Sequence, residues 1–182
     1  MNDDISLWVF GYGSLMWDPG FEFVERQVSR LHGWHRSFCM KSIHYRGTPE
    51  DPGLVLALDA AAGAVCDGVA FGVARRAEQA TLAYLHEREL ISDAYLEERL
   101  PIRLSDGRDL TAVTYVIDHA HPQYCAGLDL ESQARIIARC RGQNGSNADY
   151  LWNTTAHLGV LGLSDPDLDW LSDRVRALKA AA

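Results

Sequence analysis

The stretch Val9-Phe10-Gly11-Tyr12-Gly13-Ser14-Leu15-Met16-Trp17 sets the strongest limit on what this chain can become. Apolar residues run into a Gly-x-Gly-Ser turn, which is how a buried strand ends when its loop must fold tightly and present backbone N–H groups to an anion. Three familiar loops fail the match. A dinucleotide fingerprint needs a third glycine where Met16 stands and a helix directly after, whereas Asp18-Pro19-Gly20 follows. A phosphate loop needs a closing Gly-Lys-Ser/Thr, and a hydrolase nucleophile elbow needs glycines where Tyr12 and Met16 flank Ser14. A plain glycine turn between two strands stays open as the alternative.

The 182 residues, 47% of them apolar, suffice for one full core, so a single domain over residues 1–182 is expected. A net charge of −8 disfavours nucleic acid, whose phosphates require a surplus of Lys and Arg on one face, and favours small-molecule or protein partners. No apolar run approaches the ~20 residues that span a bilayer, and the acidic start Met1-Asn2-Asp3-Asp4 is unlike a basic signal peptide. A cytoplasmic protein with no membrane partner is the expectation. Cys39, Cys66, Cys125 and Cys140 are scattered without a Cys-x-x-Cys, which reads as reduced, largely buried thiols.

After the opening strand, Trp34–Ile43, Leu54–Leu58 and Val65–Val73 read as strands, the first two separated by an ordered loop from Gly47 to Gly53. Tyr95–Leu104 and Thr111–Ile117 form a hairpin through Ser105-Asp106-Gly107-Arg108, where Asp-Gly supplies the turn chemistry. C-terminal helices are expected at about Leu130–Arg141, then after Gly145, where Ser146 and Asp149 have capping-box spacing, and at about Asp167–Leu178.

Between strands and hairpin, Arg75 to about Leu90 has a helical period, with Leu82 and Leu85 on an apolar stripe that Ala77, Ala80 and Thr81 can join. Glu89 falls on that stripe, seven residues beyond Leu82 and four beyond Leu85. Burial and the negative end of the helix dipole both disfavour an ionised carboxylate there, which is the environment of a proton-transfer group. A buried structural carboxylate paired with an arginine is the other reading. His119-x-His121 is the best metal candidate among seven histidines, and two ligands in a polar loop are too few; no metal and no cofactor is expected. Trp8, Trp34, Trp152 and Trp170 read as core.

Four pieces in order carry a resemblance over nearly the whole chain: Phe10 to Trp17; Arg46-Gly47-Thr48-Pro49-Glu50 with Pro52-Gly53; Tyr84-Leu85 with Arg88-Glu89 and Tyr95; and Gly145-x-Asn147-x-x-Tyr150-Leu151. With these the sequence resembles the ChaC-like γ-glutamylcyclotransferases. The resemblance implies a mixed α/β (α+β) fold, a small, partly closed β-barrel flanked by helices, in one γ-glutamylcyclotransferase-like domain. It implies a lyase that needs no cofactor and cleaves glutathione to 5-oxoproline and Cys-Gly. It carries the catalytic glutamate onto Glu89 and γ-glutamyl binding onto Tyr12, Gly13, Ser14 and Leu15, and matches Tyr150 to the family's C-terminal tyrosine. For Arg46 the readings are a substrate-carboxylate contact or an exposed loop arginine; for Tyr150 they are a pocket hydroxyl or a core hydrogen bond. One departure stands out, at Leu90-Ile91-Ser92-Asp93-Ala94, where several relatives carry Gly-Gly before the tyrosine. Competing functions are a cyclotransferase for other γ-glutamyl amino acids or amines, and a non-catalytic regulatory protein that binds a γ-glutamyl ligand.

Overall fold

The structure, a computed structural model, describes residues 4–182. Its elements are β1 (Ile5–Gly11), β2 (Glu25–Ser42), β3 (Gly53–Ala74), α1 (Glu78–Glu89), β4 (Tyr95–Leu104), β5 (Asp109–Ile117), α2 (Leu130–Arg139), the short pair β6 (Arg141–Gly142) and β7 (Gly145–Ser146), α3 (Asn147–Val160) and α4 (Pro166–Ala180). Two compact units emerge, Met1–Arg36 with Leu58–His121, and Ser37–Ala57 with Pro122–Ala182.

In the first unit the strands close a barrel in the order β1-β3-β2-β4-β5. β1 lies antiparallel to β3, with Leu7 opposite Val73 and Val9 opposite Phe71, and parallel to β5 at Val9 and Val113. β1 is apolar at nearly every position because it is buried on both faces. Phe10 joins Leu31, Leu58, Ala70, Ile102 and Val116 in one cluster, while Leu7 and Val9 join Val73, Val113, Tyr115 and Leu85 of α1 in another. β4 has the expected bounds and β5 starts two residues earlier than expected, at Asp109; their register runs from Tyr95 opposite Ile117 to Arg103 opposite Asp109, with Gly107 at φ 92° in the turn.

β2 and β3 differ more from the sequence reading. β2 starts at Glu25 rather than Trp34, because Glu25–Arg30 is a largely polar ladder segment whose inward positions, Ser29 and Leu31, are too few to show a period. β3 is one continuous element through Ala60-Ala61-Ala62-Gly63, whose small residues carry no strand signal. Trp170 is 44% exposed, not core.

In the second unit α2, α3 and α4 pack together through Ala134 and Ile137, Leu151 and Leu158, and Leu171 and Val175. Each helix is capped by a side-chain oxygen. Asp129 accepts from the Ser132 N–H, Ser146 from the Asp149 N–H as its spacing promised, and Asp165 from the Leu168 N–H. Glu131 and Arg174 join α2 to α4 through two bonds of 2.7 and 2.8 Å. All four cysteines are free thiols, with Cys125 half-buried and the others buried. No helix among the described residues is long and apolar enough to cross a membrane.

Candidate active site

Gly11 ends β1 where a side chain has no room, since a Cβ there would meet the Leu15 Cβ at 3.0 Å. The chain then folds into a short 3-10 turn, Ser14–Met16, closed by the Met16 N–H on the Gly13 carbonyl at 2.9 Å and the Trp17 N–H on the Ser14 carbonyl at 3.2 Å. The Leu15 side chain sinks into the cluster between strands and α1, Gly13 and Met16 are buried too, and Ser14 is half-buried. The Tyr12 hydroxyl donates to the Tyr115 carbonyl at 2.8 Å, fixing its ring against β5.

Two arginines that sequence reasoning left without a role hold this loop. Arg36 of β2, 4% exposed, donates from Nε to the Tyr12 carbonyl at 2.7 Å and from Nη2 to the Asp67 carbonyl. Arg88 of α1 donates from Nη2 to Ser14 Oγ at 2.9 Å and from Nη1 to the carbonyls of Asp18 and Pro19 at 2.7 and 3.3 Å and to the Tyr84 hydroxyl at 3.0 Å. Gly20, at φ 74°, gives the Tyr84 hydroxyl its room, because a Cβ there would stand 2.0 Å from it. The only sequence signal for Arg88 was its place beside Glu89, and a charged residue at a helix end is ordinarily explained by the dipole.

Glu89 closes α1 in line with Thr81 and Leu85, the two buried residues of that helix. Ala80, expected on the stripe, is exposed. The Glu89 side chain is 18% exposed, and among the described residues its one ion-pair partner is Arg88, with Nε 3.3 Å from Oε1. Burial pushes its pKa above the usual carboxylate value, and the Arg88 charge opposes that shift. Across from it, burial and the charges of Glu97 and Glu89 raise the Tyr115 phenol. Tyr115 donates to Glu97 Oε2 at 3.0 Å, and the same oxygen lies 2.6 Å from His86 Nε2. A largely desolvated carboxylate, joined through Arg88 to the glycine turn, can take up and return a proton.

The other two candidates lie in the second unit and meet each other. Arg46 Nη1 donates to the carbonyls of Asn144 and Ser146 at 2.8 and 3.2 Å, and its guanidinium carbon stands 5.4 Å from the centre of the Tyr150 ring. Burial lowers the Arg46 pKa. Its hydrogen bonds go to carbonyls, not carboxylates, which leaves its charge suited to an anion. The Tyr150 hydroxyl accepts the Leu56 N–H at 3.3 Å, a core hydrogen bond. His119, half of the weighed metal pair, sits with Nε2 2.6 Å from Asp59 Oδ1.

This closed mixed barrel is the fold of solved γ-glutamyl cyclotransferase structures. The crystal structure of a glutathione-specific γ-glutamyl cyclotransferase from yeast matches with a TM-score of 0.87, covering 98% of this chain and 99% of that one at 22% identity, a likeness of fold. The chain belongs to the ChaC-like protein family, whose model matches residues 7–178. It is 38% identical over 178 residues to the glutathione-specific γ-glutamylcyclotransferase of Escherichia coli (strain K12), covering 98% of this chain and 76% of that protein. It is 33% identical over 178 residues to γ-glutamylcyclotransferase 2-3 of Arabidopsis thaliana, covering 94% and 89%.

Proposed function

We propose that this protein is a glutathione-specific γ-glutamylcyclotransferase in which Glu89 is the general base and then the general acid. The observation that carries the reading is the Glu89 carboxylate, 18% exposed and, among the described residues, held by a single ion pair at 3.3 Å. A structural carboxylate at that depth would be saturated with hydrogen-bond donors.

Glutathione contains its own nucleophile. Its α-amino nitrogen can close a five-membered ring on the γ-carbonyl carbon, so the enzyme has only to fold the chain and hold a near-attack conformer. Glu89 takes a proton from the ammonium, the free amine attacks, and the tetrahedral oxyanion is met by donors of the Gly13-Ser14-Leu15 turn. The C–N bond to cysteine then breaks as Glu89 returns the proton to the departing nitrogen, and the second proton of the attacking nitrogen passes through Glu89 to the released amine, leaving the neutral lactam N–H. Tyr12 is proposed to wall the γ-glutamyl group, and Arg46 and Tyr150 keep substrate contact as proposed roles, Arg46 through a carboxylate. One family model spanning 7–178 supports reading the whole chain as one functional domain, and four free thiols support a reducing, cytoplasmic location.

The test is incubation of purified protein with reduced glutathione, without added metal or nucleotide, followed by mass spectrometry. Equal amounts of 5-oxoproline and Cys-Gly are expected, with turnover falling at least ~100-fold in Glu89→Gln while glutathione binding persists. Turnover of γ-glutamyl-alanine but not glutathione moves the reading to a broader cyclotransferase. Binding without turnover of either makes the protein a γ-glutamyl sensor.

A further inference from the structure

We propose that Arg88 is the positioning residue of this site, one guanidinium that leaves the Ser14 hydroxyl free to donate and locks loop and Glu89 into a single rigid piece. The inference rests on the reading of Glu89 as the proton carrier and adds the group that aims it.

Hydrogen-bond accounting gives the first half. Ser14 Oγ accepts from Arg88 Nη2 at 2.9 Å, and among the described residues the hydroxyl has no further partner. An oxygen whose lone pair is taken by a cation keeps its own proton for another acceptor. Ser14 therefore faces substrate as a donor, suited to a carbonyl oxygen or the oxyanion that develops from it, and is not set to act as a nucleophile. The same guanidinium holds the carbonyls of Asp18 and Pro19, so the turn cannot swing away from α1 without breaking several charge-assisted bonds together.

The second half concerns Glu89. The groups that face its carboxylate are Arg88 on its own helix and Tyr115 from β5, with Glu97 of β4 and His86 of α1 behind the phenol. Among the described residues Arg88 is the one cation in direct contact, at 3.3 Å, and it works against burial to keep the carboxylate ionised as a base must be. A lysine keeps the charge but not the planar fork that reaches Ser14, the two carbonyls and Tyr84 at once.

Arg88→Gln and Arg88→Lys separate these roles. In full-length protein labelled at the glutamate carboxyl carbons, with Glu89→Gln to assign the signal, the Glu89 titration moves up by about half a pH unit or more in Arg88→Gln and stays near wild type in Arg88→Lys. The acid limb of kcat/KM moves with it, and Arg88→Lys loses about tenfold or more in kcat with a smaller change in KM. A role confined to stability lowers the rate at every pH and leaves the limb in place. An unmoved Glu89 titration in Arg88→Gln overturns the proposal, as does wild-type kcat in Arg88→Lys. Should Arg88→Gln not fold, kcat of Arg88→Lys decides. Absence of turnover in the wild type overturns the cyclotransferase reading instead, and the titration, which needs no turnover, still judges Arg88.

Discussion

The side-chain amide of Asn147 pairs with both backbone groups of Leu54, accepting its N–H at 2.7 Å and donating to its carbonyl at 2.8 Å. Asn147 is fully buried, and at its own backbone the N–H reaches the Cys140 carbonyl at 3.0 Å. The side chain thus acts as a one-residue strand added to the start of β3. Replacing it with leucine strands two buried backbone groups, and the expected cost is about 2–5 kcal/mol. Urea unfolding of Asn147→Leu measures this, and a loss under about 0.5 kcal/mol would remove Asn147 from the list of structural anchors.

Glu89 carries a stability cost whose sign is fixed by its environment. Burial raises its folded pKa above the unfolded value, so the native state binds a proton more tightly than the unfolded chain, and stability falls as pH rises from the unfolded value through the folded one. Glu89→Gln removes that cost. The variant is expected to melt higher than wild type at neutral pH, with the gap closing below the ordinary carboxylate pKa. Thermal melts at pH 4 and 7 check it, and a variant less stable at pH 7 than wild type counts against a strained, functional carboxylate.

Arg36 and Arg103 make a matched contrast. Arg36 is 4% exposed and bonds the Tyr12 and Asp67 carbonyls, whereas Arg103 pairs with Asp109 at 2.7 Å with side chains 61% and 64% exposed. Arg36→Met is expected to lose about 2–4 kcal/mol and to lower turnover, because the glycine turn loses its anchor. Arg103→Met should change stability by less than about 1 kcal/mol. Equal effects in parallel denaturant curves would refute the anchoring role of Arg36.

Asp93, just after α1, is the one non-glycine among the described residues with positive φ, at 55°. Aspartate is among the few side chains that tolerate this left-handed conformation. Asp93→Gly is expected to fold with stability within about 1 kcal/mol of wild type, and Asp93→Val to lose about 1–2 kcal/mol. A harmless valine would show that the turn relaxes to another conformation.

Much of this protein is legible one segment at a time. The Asp106-Gly107 turn, the Ser146 cap and the place of Glu89 on the inner side of α1 follow from residues a few positions apart, whose steric and hydrogen-bonding preferences act locally. The glycine spacing at Gly11 and Gly13 likewise declared a tight turn after a strand buried on both faces. What no local pattern carries is which distant side chain completes a site. Arg88 and Ser14 are 74 residues apart in sequence, and Arg36 and Tyr12 are 24 apart. Each pair is brought into contact by barrel closure and by the packing of α1 on β1 and β5. The sequence by itself determined the turn, the helix and the carboxylate at its end. The tertiary structure decided that two arginines, ordinary charges in the sequence, anchor the loop, because a guanidinium becomes selective only when folding removes water and offers it fixed carbonyl and hydroxyl oxygens.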